Sequence, residues 1–274
     1  MDRWESNEAI GSVAAEAFAA LSERRQITPF SLRPPGLSID GAYRVTPLMR
    51  QMYEAAGASV IGRKIGFTNR TIWDEYGVHA PIWGYLFDQS AQDLACIEAL
   101  PLTAFSEPLI EPEIIFGLSA SPTPHMDDRE LSSCIEWIAL GFEIVQTIYP
   151  GWKFSPADTI AANGMHGALL IGPRHAFALR AAQWQRTLSA FEVELSCEGR
   201  LVDRGRAENV LGGPIAALRH LVNLLAGDPL NPPLQAGEIV CTGTLTKAMP
   251  VAPSQCWTAE PSGIALDAIT INFC

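Results

Sequence analysis

Several features are missing from this chain of 274 residues, and each absence removes a class of protein. None of the six cysteines forms a C-x-x-C pair or stands at zinc spacing from a histidine. That excludes ribbon-type zinc sites and dithiol redox motifs, and predicts reduced, structural thiols. The N-terminus, Met1-Asp-Arg-Trp-Glu5, has no basic-then-apolar leader pattern, so the expected location is the cytoplasm. No apolar run approaches the ~20 residues of a membrane span. Positive charge is scarce: the formal net charge is −11, which argues against nucleic acid or an anionic membrane as partner. A small anionic substrate stays compatible with that charge, because a bound cation can invert the local field. There is no nucleophile elbow, phosphate-cradling P-loop or dinucleotide fingerprint. Internal repeats and low-complexity tracts are also absent.

What is present is an ordered globular composition, 48% apolar and 18% charged. The length suits one large domain, or one domain with an appendage. Ile10, Val13, Ala14, Ala17, Phe18 and Leu21 recur at helical spacing behind a Ser6 or Asn7 cap, predicting a helix to about Arg24. A proline-rich connector follows. A second helical segment is expected from Ser38 to about Ala56, stopped by Gly57 and broken or kinked at Pro47. The region 1–58 therefore reads as a helical N-terminal part, and 59–274 as a separate, strand-rich part. Strands are expected at Val60–Phe67, Trp83–Phe87, Glu111–Leu118, Leu140–Thr147, Gly167–Ile171, Glu238–Thr244 and Ile264–Phe273. A hairpin is expected around Gly199, and helices at Asp127–Ile138 and Pro214–Leu225. Many strands without regular β-α alternation predict an α+β fold with a large mixed or antiparallel sheet.

The chemistry centres on Glu111-Pro-Glu113-Ile-Ile-Phe116. In a strand, Glu111 and Glu113 point to one face. Two adjacent carboxylates in a partly buried setting need a cation between them, a shared proton, or water. An edge strand with both acids in solvent fits the pattern equally well, and Pro112 favours it, since proline donates nothing to a central ladder. Glu143, among apolar neighbours, is either a third hard-cation ligand or a solvent-facing strand residue. Lys64, between Ile61 and Ile65, either snorkels to water or turns inward. Near a bound divalent ion it would lose proton affinity and could act as a base. The turn Gly243-Thr-Leu-Thr246 offers amides and hydroxyls that could hold a carboxylate. Of the five histidines, only His166 is kept as a pocket candidate.

Taken together, these stretches resemble the 2-keto-4-pentenoate hydratase and 4-oxalocrotonate decarboxylase branch of the fumarylacetoacetate hydrolase superfamily. The matching pieces are Gly62–Thr68, Gly77–Gly84, Glu111-Pro-Glu113, Phe142–Val145, Asp158-Thr-Ile160 with Asn163, Val210–Pro214, Ala236–Ile239 and Gly243–Thr246. They occur in the family's order across most of the chain. The resemblance implies a mixed β-roll behind a helical N-terminal region, in a homo-oligomer that could include a decarboxylase or hydratase paralogue. It implies a Mg²⁺ or Mn²⁺ site with Glu111, Glu113 and Glu143 as ligands and Lys64 as the catalytic lysine. Thr68, Asn163, Gly243, Thr244 and Thr246 would bind substrate, supported by Gln146, Asp158 and His166.

The implied activity is hydration of a 2-hydroxy-2,4-dienoate, or its 2-oxo tautomer, from aromatic catabolism. Three alternatives stand beside it: decarboxylation of a 2-oxo diacid of the 4-oxalocrotonate type, acylpyruvate hydrolysis, and a catalytically silent partner subunit. Hydrolysis would call on an acid/base pair such as Glu75 and His79, with Gly77 interrupting any helix between them. The chain departs from the family pattern at three places. Gln146 and Ala162 stand where acids are usual, and Ile148 where arginine is usual. Loss of those acids predicts enolisation without efficient hydration.

Overall fold

The computed structural model describes residues 6–70 and 73–274. Two helices that pack on each other open the chain, α1 (Asn7–Glu23) and α2 (Ile39–Ala55). Ser6 and Ser38 cap them, each side chain accepting from a backbone N–H in the first turn. Pro47 does not break α2, which runs through it. The lost backbone hydrogen bond is offset by the buried face of Ala42, Val45, Thr46 and Met49.

A curled mixed sheet forms the body. Its strands are β1 (Val60–Gly66), β2 (Ile82–Phe87), β3 (Ala91–Asp93), β4 (Leu109–Leu118), β5 (Ile135–Val145) and β6 (His166–Ile171), joined by β10 (Ile239–Thr244). Among the described residues their order is β2-β1-β10-β4-β5-β6-β3. Two short strands, β7 (His175–Ala176) and β11 (Met249–Pro250), pair with β5 and β4. The β1/β10 and β3/β6 pairs are parallel, and the other pairs along this path are antiparallel.

Between β1 and β2 lies a single helical turn, α3 (Trp73–Tyr76). The expected helix over Asp127–Ile138 is shorter: α4 spans Asp128–Ser133 behind an Asp127/Glu130 capping box. Residues from Ile135 onward join β5, because the run Ile135-Glu-Trp-Ile-Ala-Leu140 pairs with β4 along most of its length. A capped turn of helix, α5 (Pro156–Ala161), precedes β6. The chain then builds α6 (Ala181–Thr187) and the hairpin β8 (Glu192–Cys197) and β9 (Arg200–Arg206), followed by α7 (Pro214–Ala226). The hairpin joins β12 (Cys256–Ser262) and β13 (Ile269–Asn272) in a four-stranded antiparallel sheet.

Three buried apolar clusters hold these layers. The largest joins one face of the curled sheet to α7 and the second sheet, through Ile114, Phe116, Phe142, Leu218, Leu221 and Trp257 among others. A small cluster of Leu86, Ile115, Ala139, Leu169, Ile239 and Cys241 fills the opposite face, inside the curl. The third ties α1 and α2 to Ile82, Ile148, Tyr149, Ile160, Ala162 and Met165. The N-terminal helices thus share a core with the segment that follows β5.

β4 is central, between β10 and β5, and not the edge strand that Pro112 suggested. The missing proline N–H is accommodated by an irregularity in the partner strand. The β10/β4 register shifts between Cys241 and Thr244, where Gly243 takes φ +99. Leu245 donates to the Pro112 carbonyl at 3.0 Å, while the Gly243 N–H turns to the Glu113 carboxylate. Proline inside a sheet survives at such a bulge.

Candidate active site

The sheet register alone sets Glu111 directly opposite Glu143, and Lys64 beside Cys241. Period-two alternation then puts Lys64, Glu111, Glu113, Glu143, Cys241 and Gly243 on the inner face of the curl. Lys64, Glu113 and Glu143 are buried, and Glu111 is partly buried. Lys64 Nζ lies 3.2 Å from Glu143 Oε2 and donates to the Gly164 carbonyl at 2.9 Å. Lys64 and Glu143 therefore both turn inward rather than to water.

Each carboxylate is held differently. Glu143 Oε1 is 2.8 Å from His166 Nδ1, whose other ring nitrogen is 2.9 Å from Ser90 Oγ. Glu113 Oε2 accepts from Gly243 N at 2.6 Å and from the Cys241 thiol at 2.8 Å. Glu113 Oε1 is buried without a hydrogen-bond donor, and Glu143 Oε2 has only the Lys64 ammonium beside it. Burial, and then the charge of Glu143, push the Glu111 carboxyl up to about 7, against the pull of Lys64. Burial and both neighbouring acids drive Glu113 well above the usual carboxylate range. Burial also acts to raise Glu143, but Lys64 and His166 outweigh it and hold it low. Burial acts to lower Lys64, and Glu143, Glu111 and Glu113 together raise it instead.

This charge arrangement fits a divalent cation. Three acids face one ammonium, and the buried Glu113 Oε1 has no donor. Glu113, Glu143 and Cys241 each offer a ligand atom within 4.8 Å of the others, a group that could hold a metal ion. Cys241 was expected to be an ordinary structural thiol. Its only signal in the sequence was its place two residues before Gly243, on the same strand face. Burial, and then the charges of Glu113 and Glu143, push the thiol well above its usual range, and it donates to Glu113.

The other expected residues divide into two groups. Thr68 and Thr244 line the cavity over the carboxylates, and the Thr68 hydroxyl is buried without a partner. A Cβ on Gly243 would stand 1.9 Å from that hydroxyl, so only glycine fits there. Thr246 instead donates to the Lys247 carbonyl, and its own carbonyl accepts from Thr244 Oγ1. The Asn163 amide is fully engaged with strand β2, accepting from Tyr85 N and donating to Tyr85 O. Asn163, Gly164 and Met165 are three consecutive left-handed residues, a strained turn that delivers the Gly164 carbonyl to Lys64. Asp158 caps α5 and accepts from both Ser31 and Ser155, tying the N-terminal region down away from the cavity.

Gln146 accepts from Ser106 N and faces a second, larger cavity of about 800 Å³ on the far side of His166. That space is bigger but holds no cluster of acids, so the chemistry belongs to the smaller one. Ala162 and Ile148 are buried in one apolar cluster. The positions expected to carry an acid and an arginine are thus both apolar, which leaves no unpaired charge behind. His79 is exposed and remote from the carboxylates, and the Glu75 side chain lies outside the described residues.

A curled mixed sheet gathers buried carboxylates and one lysine at a small cavity, an arrangement that could hold a metal ion. Residues 92–265 match the family model "Fumarylacetoacetate (FAA) hydrolase C-terminal". The chain belongs to the fumarylacetoacetate hydrolase family. It is 30% identical over 236 residues to 2-hydroxyhexa-2,4-dienoate hydratase of Comamonas testosteroni, covering 86% of this chain and 87% of that one. It is 27% identical to 2-keto-4-pentenoate hydratase of Paraburkholderia xenovorans strain LB400, over 92% and 90% of the two chains. Among solved structures, 4-oxalocrotonate decarboxylase from Pseudomonas putida G7, complexed with magnesium and adipate, superposes with a TM-score of 0.87 at 25% identity, over 98% of both chains. No helix among the described residues is long and apolar enough to cross a membrane.

Proposed function

We propose that this protein is a divalent-metal-dependent hydro-lyase that converts a 2-hydroxy-2,4-dienoate to a 4-hydroxy-2-oxo acid. The observation that carries this reading is Lys64 buried against Glu143 in a pocket that Glu111 and Glu113 also line. Glu111, Glu113 and Glu143 would hold Mg²⁺ or Mn²⁺, which supplies Lewis-acid stabilisation for negative charge on the substrate oxygens. With the carboxylates committed to a cation, the field that raises Lys64 weakens and its burial prevails. Lys64 can then take the proton of the dienol hydroxyl and return one at C5, giving the conjugated ketone. Water adds at C4, and a proton returns at C3. The Thr68 hydroxyl and the Gly243–Thr244 turn would orient the substrate carboxylate, and His166 would fix Glu143.

Residues 1–58 would act as a helical buttress to the catalytic part, 59–274, in a cytoplasmic homo-oligomer. The decarboxylation alternative draws on the structural match, since loss of CO₂ from a 2-oxo diacid uses the same electron sink without water. The two are separated by following dienoates and oxo-diacids by NMR with Mg²⁺ or Mn²⁺. A 4-hydroxy-2-oxo product supports the proposal. Decarboxylated product, with no hydration of any dienoate, overturns it.

A further inference from the structure

Among the described residues, β2 ends the strand order of the curled sheet, so one of its edges has no strand partner. Peptide groups on such an edge need another partner when they are buried. Asn163 supplies one at Tyr85. Its side-chain oxygen accepts from Tyr85 N at 2.8 Å, and its amide nitrogen donates to Tyr85 O at 2.9 Å. One side chain thus takes the place of a residue in a neighbouring strand. Gly84, which stands opposite Lys64 in the β1/β2 register, leaves room for the contact. A Cβ on Gly84 would lie 2.5 Å from the Asn163 carbonyl oxygen.

This clamp holds the first residue of the left-handed turn Asn163-Gly164-Met165, with φ +54, +66 and +64. Such a turn persists only where its surroundings fix it. The turn in turn fixes Lys64. The Gly164 carbonyl accepts from Lys64 Nζ at 2.9 Å, and a Cβ on Gly164 would meet Lys64 Cδ at 3.0 Å. Stem and head of the lysine both rest on it. Gly164 and Met165 line the cavity over the carboxylates, whereas Asn163 does not.

Resting on the reading of Lys64 as the proton-transfer group, we propose that Asn163 is a positioning residue: its grip on Tyr85 holds the turn that aims the Lys64 amine at the substrate. An ammonium has three N–H bonds, and a neutral amine has two and a lone pair. The Gly164 carbonyl takes one of these directions, and Glu143 Oε2, at 3.2 Å, takes a second. The third is left for the cavity that Lys64 lines. A cation at the acids would compete for Glu143. It would not compete for the Gly164 carbonyl, whose hold on Nζ therefore survives metal binding. The family resemblance assigned Asn163 to the substrate; its amide acts on β2 instead, and reaches the chemistry only through Lys64.

The test uses two variants. Asn163→Gly removes the amide and keeps a residue at ease with positive φ. Asn163→Asp keeps the acceptor for Tyr85 N and loses the donor. The reaction followed is deuterium exchange at C3 of 2-oxopentanoate in the Mn²⁺-loaded protein. In Asn163→Gly, kcat for exchange should fall about 10²-fold, the scale of a roughly 1 Å misplacement. Its KM, and its affinity for oxalate, should stay within about twofold of wild type. Asn163→Asp should lie between the two proteins, and takes the same measurements if the glycine variant does not fold. A second readout is spectroscopic. The chain has three lysines, Lys64, Lys153 and Lys247, so lysine-selective ¹³C labelling resolves each Cε. The two Lys64 Hε protons should be inequivalent in the wild type and converge in Asn163→Gly, while those of the exposed Lys153 and Lys247 stay as they are. Exchange at close to the wild-type kcat in the variant overturns the proposal, whatever the Lys64 signal does. Loss of oxalate affinity in step with kcat would put Asn163 at the substrate and overturns it equally. Absence of exchange in the wild type, or undiminished exchange in Lys64→Ala, overturns the proton-transfer reading itself, and this proposal with it.

Discussion

Lys64 Nζ stands 3.2 Å from Glu143 Oε2, with both side chains withdrawn from solvent. In the metal-free protein this ammonium is the counter-charge for the whole carboxylate cluster. Lys64→Ala should lower the stability of the metal-free form by about 3–5 kcal/mol, because Glu143 is left buried and unpaired on that side. Added Mn²⁺ should restore much of the loss. The variant should still bind Mn²⁺ and oxalate, yet lose proton transfer by about 10²–10⁴-fold. Near-wild-type turnover in Lys64→Ala would remove this residue from the chemistry.

The pH dependence of stability should depend on metal. With its carboxyl pushed up from 4.5 to about 7, Glu111 keeps a proton in the folded state that the unfolded chain has released. Stability of the metal-free protein therefore falls as pH rises from about 4.5 through 7, and Glu113 acts in the same direction. Glu143, held low, contributes stability that is lost only as pH falls below its usual value. Excess Mn²⁺ replaces the protons and should flatten the fall. Melting temperatures between pH 5 and 8, with and without Mn²⁺, check this; superimposable curves would count against a metal at these acids. Glu113→Gln should fold, lose Mn²⁺ binding by calorimetry, and show a weaker pH slope.

His166 touches a carboxylate ligand candidate and not the substrate cavity. Its ring holds Glu143 Oε1 at 2.8 Å, with Ser90 behind it. Outer partners of this kind commonly change metal affinity by about 10–100-fold. His166→Ala should weaken Mn²⁺ binding within that range. His166→Gln, which can still hydrogen-bond to Glu143, should recover part of it. Equal Mn²⁺ affinity in all three proteins would show that Glu143 is positioned without the histidine.

Ala162 tests the departure from the family pattern. The sequence alone suggests that restoring an acid there would restore hydration. The structure places Ala162 inside an apolar cluster with Ile148, so Ala162→Asp should bury an unpaired charge. A loss of several kcal/mol, read by urea denaturation, is expected. A fully stable variant with faster hydration would show that the position opens to the active site.

The sequence by itself determined which side chains are candidates for the site. Glu111 and Glu113 share a strand face by simple alternation, and the ordered motifs added Glu143 and Lys64. The helix caps and turns were equally local, which is why α1, α7 and the β8/β9 hairpin stand near their expected places. Tertiary structure alone decided which strands are neighbours and which face is inside. Pro112 could sit in a central strand only because β10, more than a hundred residues later in the chain, carries a bulge opposite it. That same bulge turns the Gly243 amide onto Glu113 and sets Cys241 beside it, a contact no spacing rule encodes. The family resemblance placed Gln146, two residues beyond Ile144, in support of the catalytic cluster. It faces the other cavity, because the β5/β6 register shifts after Ile144 and the strand ends at Val145. Local periodicity specifies which side chains travel together. Long-range pairing and the curl of the sheet specify what they meet.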